Sequence, residues 1–190
     1  ALSDVRATLG LARLVKKHQP RLWDFCLRLR SRHEVLRELA LAEQAGQPFL
    51  HVSGMYGGER GCIALVWPLA PHPTNRNELI VWDLAQDPSE LFTLDAAAVR
   101  ERLYTRAEDL PEGVQRLPIK TIHLNKSPIV VGNLKTLSAA SATKWGIDVD
   151  QGLRHAELAA AKAHLLTGLW PAVFERPARE GGVDVDEDLY

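Results

Sequence analysis

Phe49-Leu50-His51-Val52-Ser53, Gly54-Met55-Tyr56-Gly57-Gly58-Glu59-Arg60-Gly61 and Cys62-Ile63-Ala64-Leu65-Val66-Trp67 follow one another without a gap. Two short apolar runs flank a glycine-rich connection, which is the pattern of two strands joined by a turn. Glycines supply the positive φ that such a turn needs. The connection is not a phosphate loop. A Walker A motif requires Lys-Ser/Thr after its last glycine, and a dinucleotide fingerprint must open a helix; Gly61 leads into a strand instead. Tyr56 and Arg60 are either ordinary turn residues or project from the hairpin tip. In the second case the ring can stack on a nucleobase and the guanidinium can hold a phosphate.

Outward from this hairpin the strand pattern continues. Residues 78–84, 119–124 and 129–131 are further short apolar runs bounded by Gly, Pro and Asn. A proline-rich loop occupies 68–77, and Asn125-Lys126-Ser127-Pro128 reads as a turn. Asp95 can cap a short helix to about Tyr104, Ser138 another to Gly146, and Asp148 or Asp150 a longer one to about Gly168, which Pro171 breaks. No periodicity is visible from Pro177 onward. Upstream, Leu2, Val5, Leu9 and Ala12 recur at helical spacing. Pro20 stops that helix and can open a second, whose apolar face is Leu22, Phe25, Cys26 and Leu29. Val35, Leu36 and Leu39 extend the pattern to about Gly46 after a break near 31–33. The expected class is α+β, a β-rich middle between helices.

The chain has 190 residues, 46% hydrophobic and 25% charged, with a net charge of −1. That length suits one large domain or two small ones, and the charge excludes a wholesale basic coat for nucleic acid. A local basic face remains open, because residues 1–37 carry a net +6 and residues 173–190 a net −4. Solvated helix faces and an acidic tail are the plainer reading. Cys26 and Cys62 form no CxxC, so a zinc ribbon and a disulfide framework are both excluded, and a reducing cytoplasm is expected. No apolar run is long enough to span a membrane. The chain begins at Ala1 without Met, as expected of the interior of a longer protein.

Several residues carry candidate chemistry. His51, His72 and His123 lie on or beside strands without the close spacing of a helical metal pair, so they read as hydrogen-bonded structural histidines rather than ligands. Arg76 and Asn77 in one polar loop, and Lys120, His123, Asn125 and Lys126 around another, combine cations with amides. Turn chemistry accounts for such loops, and a surface for backbone phosphates is the alternative. No GxSxG nucleophile motif is present. Asp4, read alone, is an acid favoured by the dipole at a helix start.

Six collinear stretches carry a resemblance. They are residues 1–8 (Ala-Leu-Ser-Asp-Val-Arg-Ala-Thr), 14–22, 51–57 (His-Val-Ser-Gly-Met-Tyr-Gly), 72–77 (His-Pro-Thr-Asn-Arg-Asn), 100–105 (Arg-Glu-Arg-Leu-Tyr-Thr) and 122–128 (Ile-His-Leu-Asn-Lys-Ser-Pro). In order and spacing the chain resembles the bacterial exodeoxyribonuclease I family, DEDD-class 3′→5′ single-strand exonucleases. That resemblance implies a piece of a larger multidomain nuclease. Residues 1–20 would be the last helix of a ribonuclease-H-like domain, 21–170 an SH3-like β-barrel domain with flanking helices, and 171–190 a linker or the start of a helical domain.

The resemblance implies a site as well as a fold. Asp4 matches the fourth acid of the nuclease's metal set, a ligand for catalytic Mg²⁺ or Mn²⁺ in the intact enzyme. One carboxylate cannot hold two hard cations that each want about six oxygens, so the chain alone is expected to be inactive and to bind no metal tightly. The implied partner is single-stranded DNA, held by Tyr56, Arg60, Arg76, Asn77, Lys120, His123, Asn125 and Lys126. A second implied partner is the acidic C-terminal tail of single-stranded-DNA-binding protein, received by Phe25 with Arg21, Arg28 and Arg32. The expectations therefore divide between a DNA-handling part of an enzyme, a protein-interaction module, and a structural segment that binds nothing strongly alone. The parent is expected to be a monomer with no membrane association.

Overall fold

Pro20 opens a helix whose first position suits it, because its missing N–H is one that a helix start leaves unpaired anyway. It separates α1 (Leu2–His18) from α2 (Pro20–Arg28), and α3 (Arg32–Gln44) follows the expected break. The structure, a computed structural model, describes residues 2–44 and 48–175. The segment around Gly46, and most of the acidic tail with its lack of periodicity after Pro177, lie outside the described residues.

Five strands follow: β1 (Phe49–Val52), β2 (Ile63–Pro71), β3 (Glu78–Asp83), β4 (Ile119–His123) and β5 (Ile129–Val131). They form one antiparallel sheet in the order β4-β3-β2-β1-β5. Successive strands β4 and β5 thus occupy opposite edges, although only residues 124–128 join them. A flat five-stranded sheet would be about 19 Å wide, close to the reach of that connection fully extended. The sheet is instead curled, and β1 and β4 line one cleft through His51, Val52, Thr121 and His123. A bulge between Pro68 and Ala70 helps to bend β2.

Strand periodicity sorts the core into two layers. Phe49, Ala64, Val66, Leu79, Val81, Ile122 and Val130 pack with Leu29, Val35 and Leu39 from the helical start. Glu38 of α3 accepts a hydrogen bond from Gly132 N at 2.9 Å, which ties this helix to the end of β5. Leu50, Leu65, Ile80, Trp82 and Ile119 pack on the other face. There they meet α4 (Ala96–Tyr104), α6 (Val149–Lys162) and α7 (Leu169–Val173), through Val99, Ala156, Trp170 and Val173. The caps expected at Asp95, Ser138 and Asp148 form, accepting from Ala98 N, Ser141 N and Gln151 N. Ser138 caps α5 (Ala139–Lys144).

Two local expectations need correction. The long helix ends at Lys162 in a 3₁₀ turn, Ala163–Leu166. Pro171 lies inside α7, in its first turn, where no intrahelical N–H is required. α1 stands apart from both cores: none of its residues is buried, and Leu2, Val5 and Leu9 are exposed along one stripe.

Candidate nucleic-acid interface

The glycine-rich connection does not present its aromatic at a tip. Ser53 accepts a hydrogen bond from Met55 N, and Gly54–Tyr56 wind into a 3₁₀ turn that folds the Tyr56 ring inward. Tyr56 is 4% exposed and packs in the same layer as Phe49 and Val130. Its hydroxyl is hydrogen-bonded to Nδ1 of His51 at 2.9 Å, with the two rings edge-on at 5.4 Å. Burial, with the Asp83 charge nearby, pushes the Tyr56 hydroxyl well above its usual range. Burial pulls His51 down to about 4, so its imidazole is neutral at physiological pH.

Arg60 is also committed. Its two terminal nitrogens donate to both carboxylate oxygens of Asp83, at 2.6 and 3.2 Å, and its guanidinium lies 5.8 Å from the Tyr56 ring centroid. The expectation that Tyr56 and Arg60 project together from a tip is therefore corrected. One is a core side chain and the other is half of a partly buried ion pair.

Two of the remaining candidate cations, Lys120 and Lys126, line adjoining clefts beside β4. Asn125, Lys126 and Ser127 are exposed, with Ser127 at φ 51°, a left-handed turn conformation uncommon for a residue with a side chain. Lys126 and His123 line an open cleft of about 320 Å³ between the ends of β1 and β4. Lys120 lines a second cleft of about 400 Å³, and the two adjoin through shared Met55 and Thr121. Glu78 separates the histidines: it pairs with His123 Nδ1 at 3.3 Å and His72 Nε2 at 3.8 Å, and accepts from Asn75 Nδ2 at 2.7 Å. His51, His72 and His123 are thus all engaged with protein groups.

Arg76 and Asn77 lie at the turn between β2 and β3. Asn77 accepts from Leu124 N at 2.7 Å, which fastens this turn to the β4–β5 connection. Arg32 Nη2 donates to the Arg76 carbonyl at 3.0 Å. Both arginines line a groove of about 290 Å³ over Leu36, Leu39, Leu79 and Leu124. A residue expected to touch DNA and one expected to touch a peptide therefore share one groove. Phe25 is half-buried against the first core layer, with the Arg28 guanidinium 5.6 Å from its ring centroid, while Arg21 and Arg28 are exposed. They stand on α2, whereas Arg32 stands on α3.

Asp4 sits in the first turn of α1, its Oδ1 accepting from Ser3 Oγ at 3.3 Å. Among the described residues no group of three or more His, Cys, Asp or Glu is placed to hold a metal ion. Those residues therefore do not make a two-cation site around Asp4. Sequence reasoning passed over Tyr104 and Arg116, which line the second cleft beside Lys120. The signal was there: Tyr104 lies within the quoted stretch 100–105 and is large, aromatic and close to two arginines. Among the described residues no helix is long and apolar enough to cross a membrane.

Comparison with known proteins gives this geometry its relatives. The family model described as the exonuclease I SH3-like domain matches residues 30–176. Exodeoxyribonuclease I of Escherichia coli strain K12 is 43% identical over 148 residues, which is 78% of this chain and 30% of that protein. The metal-free crystal structure of the E. coli exonuclease I complex with single-stranded DNA superposes with a TM-score of 0.87 at 36% identity, covering 100% of this chain and 40% of that one. A crystal structure of SSB/exonuclease I with an inhibitor superposes with a TM-score of 0.79 at 35% identity, covering 94% of this chain and 36% of that one. The chain spans about a third of the length of the curated relative. It belongs to the exonuclease I family and carries that family's SH3-like domain.

Proposed function

We propose that this chain is the single-stranded-DNA-handling part of an exodeoxyribonuclease I, an enzyme that hydrolyses single-stranded DNA 3′→5′ to mononucleotides. The observation that carries this reading is the meeting of Lys120, His123 and Lys126 along two adjoining clefts beside β4. Lysines along a groove, here the half-buried Lys120 and the exposed Lys126, track a flexible phosphate backbone without reading its sequence. Arg76, Asn77 and Asn125 extend that surface across the neighbouring turns. The E. coli relative crystallised with single-stranded DNA supports the same substrate.

Residues 1–20 are read as the final helix of a preceding nuclease domain. The unburied apolar stripe of α1 supports this, since such a stripe ordinarily faces a core. Residues 21–170 are read as the SH3-like domain, and 171–190 as a linker or the start of a helical domain. Asp4 is one ligand of a Mg²⁺ or Mn²⁺ site that this chain cannot complete, so the chain alone releases no nucleotides. Both cysteines are unpaired thiols, in keeping with a cytoplasmic setting.

A second reading is favoured by the groove under Arg32 and Arg76. Two arginines above an apolar floor suit an acidic peptide that ends in a hydrophobic residue, and a relative has been crystallised in an SSB/exonuclease I assembly. The DNA reading is tested by titrating the chain with an oligothymidylate over a range of salt. Affinity should fall log-linearly with salt, by about 0.7 per phosphate contacted. Lys126→Ala and Lys120→Ala should each flatten that slope. Slopes that stay unchanged in both would place the DNA elsewhere.

A further inference from the structure

The larger of the two clefts holds an aromatic side chain that the fold leaves open. Tyr104, the last residue of α4, is 57% exposed, while most other large apolar side chains of the helices around it are buried or half-buried. Its ring is nonetheless held in place. The guanidinium of Arg100, one helical turn earlier, lies 5.3 Å from the ring centroid. Arg100 is itself fixed by donating to the carbonyls of Val173 and Glu175, at 2.7 and 2.5 Å. Phe174 meets the ring edge-on at 6.4 Å. A cation over one face and a ring at its edge pre-orient the tyrosine without burying it.

The surroundings are those of a nucleotide rather than of a packing partner. The cleft's volume of about 400 Å³ falls in the range of small-ligand sites. Lys120 and Arg116 line it, and Arg116 is braced by a hydrogen bond to the carbonyl of Leu103. Met55, 50% exposed, forms an apolar wall shared with the cleft that holds Lys126. The acid of this cleft, Glu78, is already engaged by His72, His123 and Asn75. The site is therefore cationic and apolar together, and it continues directly from the cationic cleft next to it.

We propose that Tyr104 is a stacking platform for one nucleobase of single-stranded DNA, with Lys120 and Arg116 receiving the phosphates on either side. This rests on the DNA-handling reading above and places the base contact on α4 instead of on the glycine-rich connection. Because every base offers a π-face, the subsite discriminates little among bases. Since Arg100 backs the ring, a stacked base would complete an Arg–Tyr–base sandwich.

The test uses the whole chain and an oligothymidylate, with Tyr104→Ala and Tyr104→Phe as variants. Tyr104→Ala should weaken binding about tenfold, within the range measured for single base–aromatic stacks. Its salt slope should match the parent's, because no phosphate contact is lost. Tyr104→Phe should bind within about twofold of the unaltered chain, since stacking needs the ring and not the hydroxyl. An oligonucleotide carrying photoreactive iodouracil should crosslink at Tyr104. Salt-dependent binding that is equal in the unaltered chain and Tyr104→Ala, with crosslinks confined to other residues, overturns this proposal and leaves the DNA-handling reading intact. Failure of the unaltered chain to bind the oligonucleotide overturns both.

Discussion

Arg60 and Asp83 are 23 residues apart in sequence, and the guanidinium of one grips both carboxylate oxygens of the other. The Asp83 side chain is 8% exposed and that of Arg60 29%, so the acid depends on its partner more than the base does. The pair locks the glycine-rich connection onto the end of β3.

Removing the base should therefore cost more than removing the acid's charge. Arg60→Met strands a nearly buried carboxylate and should lower stability by about 1–3 kcal/mol. Asp83→Asn leaves a guanidinium that still reaches water, and should cost less. Urea denaturation of both variants and of the double variant gives the coupling between them. Oligonucleotide affinity of folded Arg60→Met should stay close to that of the parent, since this arginine is not available to a phosphate. A large loss of affinity without loss of stability would contradict that assignment.

Tyr56 and His51 make a prediction about pH. His51 titrates at about 4 in the fold, against an ordinary value of 6.5, because burial disfavours its charged form. The unfolded chain thus binds the extra proton between those two values. This group's contribution to stability is complete above pH 6.5 and is lost as pH falls toward 4. It is of order 3 kcal/mol. The ring-proton shifts of His51 in NMR should stay flat from pH 8 to about pH 5.5. Tyr56→Phe removes the hydroxyl that partners Nδ1 and should destabilise by about 1–3 kcal/mol, while leaving DNA affinity unchanged.

The elements of this fold were legible because their signals are local. Pro20, Asp95, Ser138 and Asp148 mark helix starts within a turn of where they act, and strand runs carry their own apolar pattern. The candidate site was less legible because its assignments depend on contacts between distant segments. Nothing in the spacing of Arg60 reveals that Asp83 will occupy it. Gly54-Met55-Tyr56-Gly57 reads as an exposed tip until the Ser53 side chain caps Met55 N and turns the ring inward. The residues at the β4–β5 connection read as one cluster because they lie together within 120–126, whereas Tyr104 comes beside Lys120 only because α4 is hydrogen-bonded to residues 115–117 ahead of β4.

Gly61 provides a steric prediction. It sits at φ 61°, and a Cβ built there would come 2.5 Å from the Trp145 ring, so the indole lies directly on its backbone. Gly61→Ala meets both the left-handed penalty and a clash, and should cost about 2 kcal/mol or more. Trp145→Ala should be tolerated better in the Gly61→Ala background than alone. The tryptophan emission of Gly61→Ala should shift relative to the parent. Purely additive losses in the double variant would show that the ring and the glycine are not in contact.

The groove under Arg32 and Arg76 separates the two binding readings. Its floor is Leu36, Leu39, Leu79 and Leu124, and the Arg32 guanidinium is already steadied by the Arg76 carbonyl. A peptide with several acids and a terminal hydrophobic residue can place that residue on the floor and its carboxylates against the two arginines. Such a peptide should saturate the chain at low salt below about 1 mM, which is about 4 kcal/mol of binding. Arg32→Ala should weaken it several-fold while leaving oligonucleotide affinity nearly intact. Lys126→Ala should do the reverse, because Lys126 lines the other cleft. Arg76→Ala should reduce both, since its exposed side chain stands between the peptide groove and the turn fastened to the β4–β5 connection. Calorimetric titration of the three variants with each ligand decides the matter. If Arg32→Ala and Lys126→Ala lower both affinities equally, peptide and DNA share one surface and compete for it.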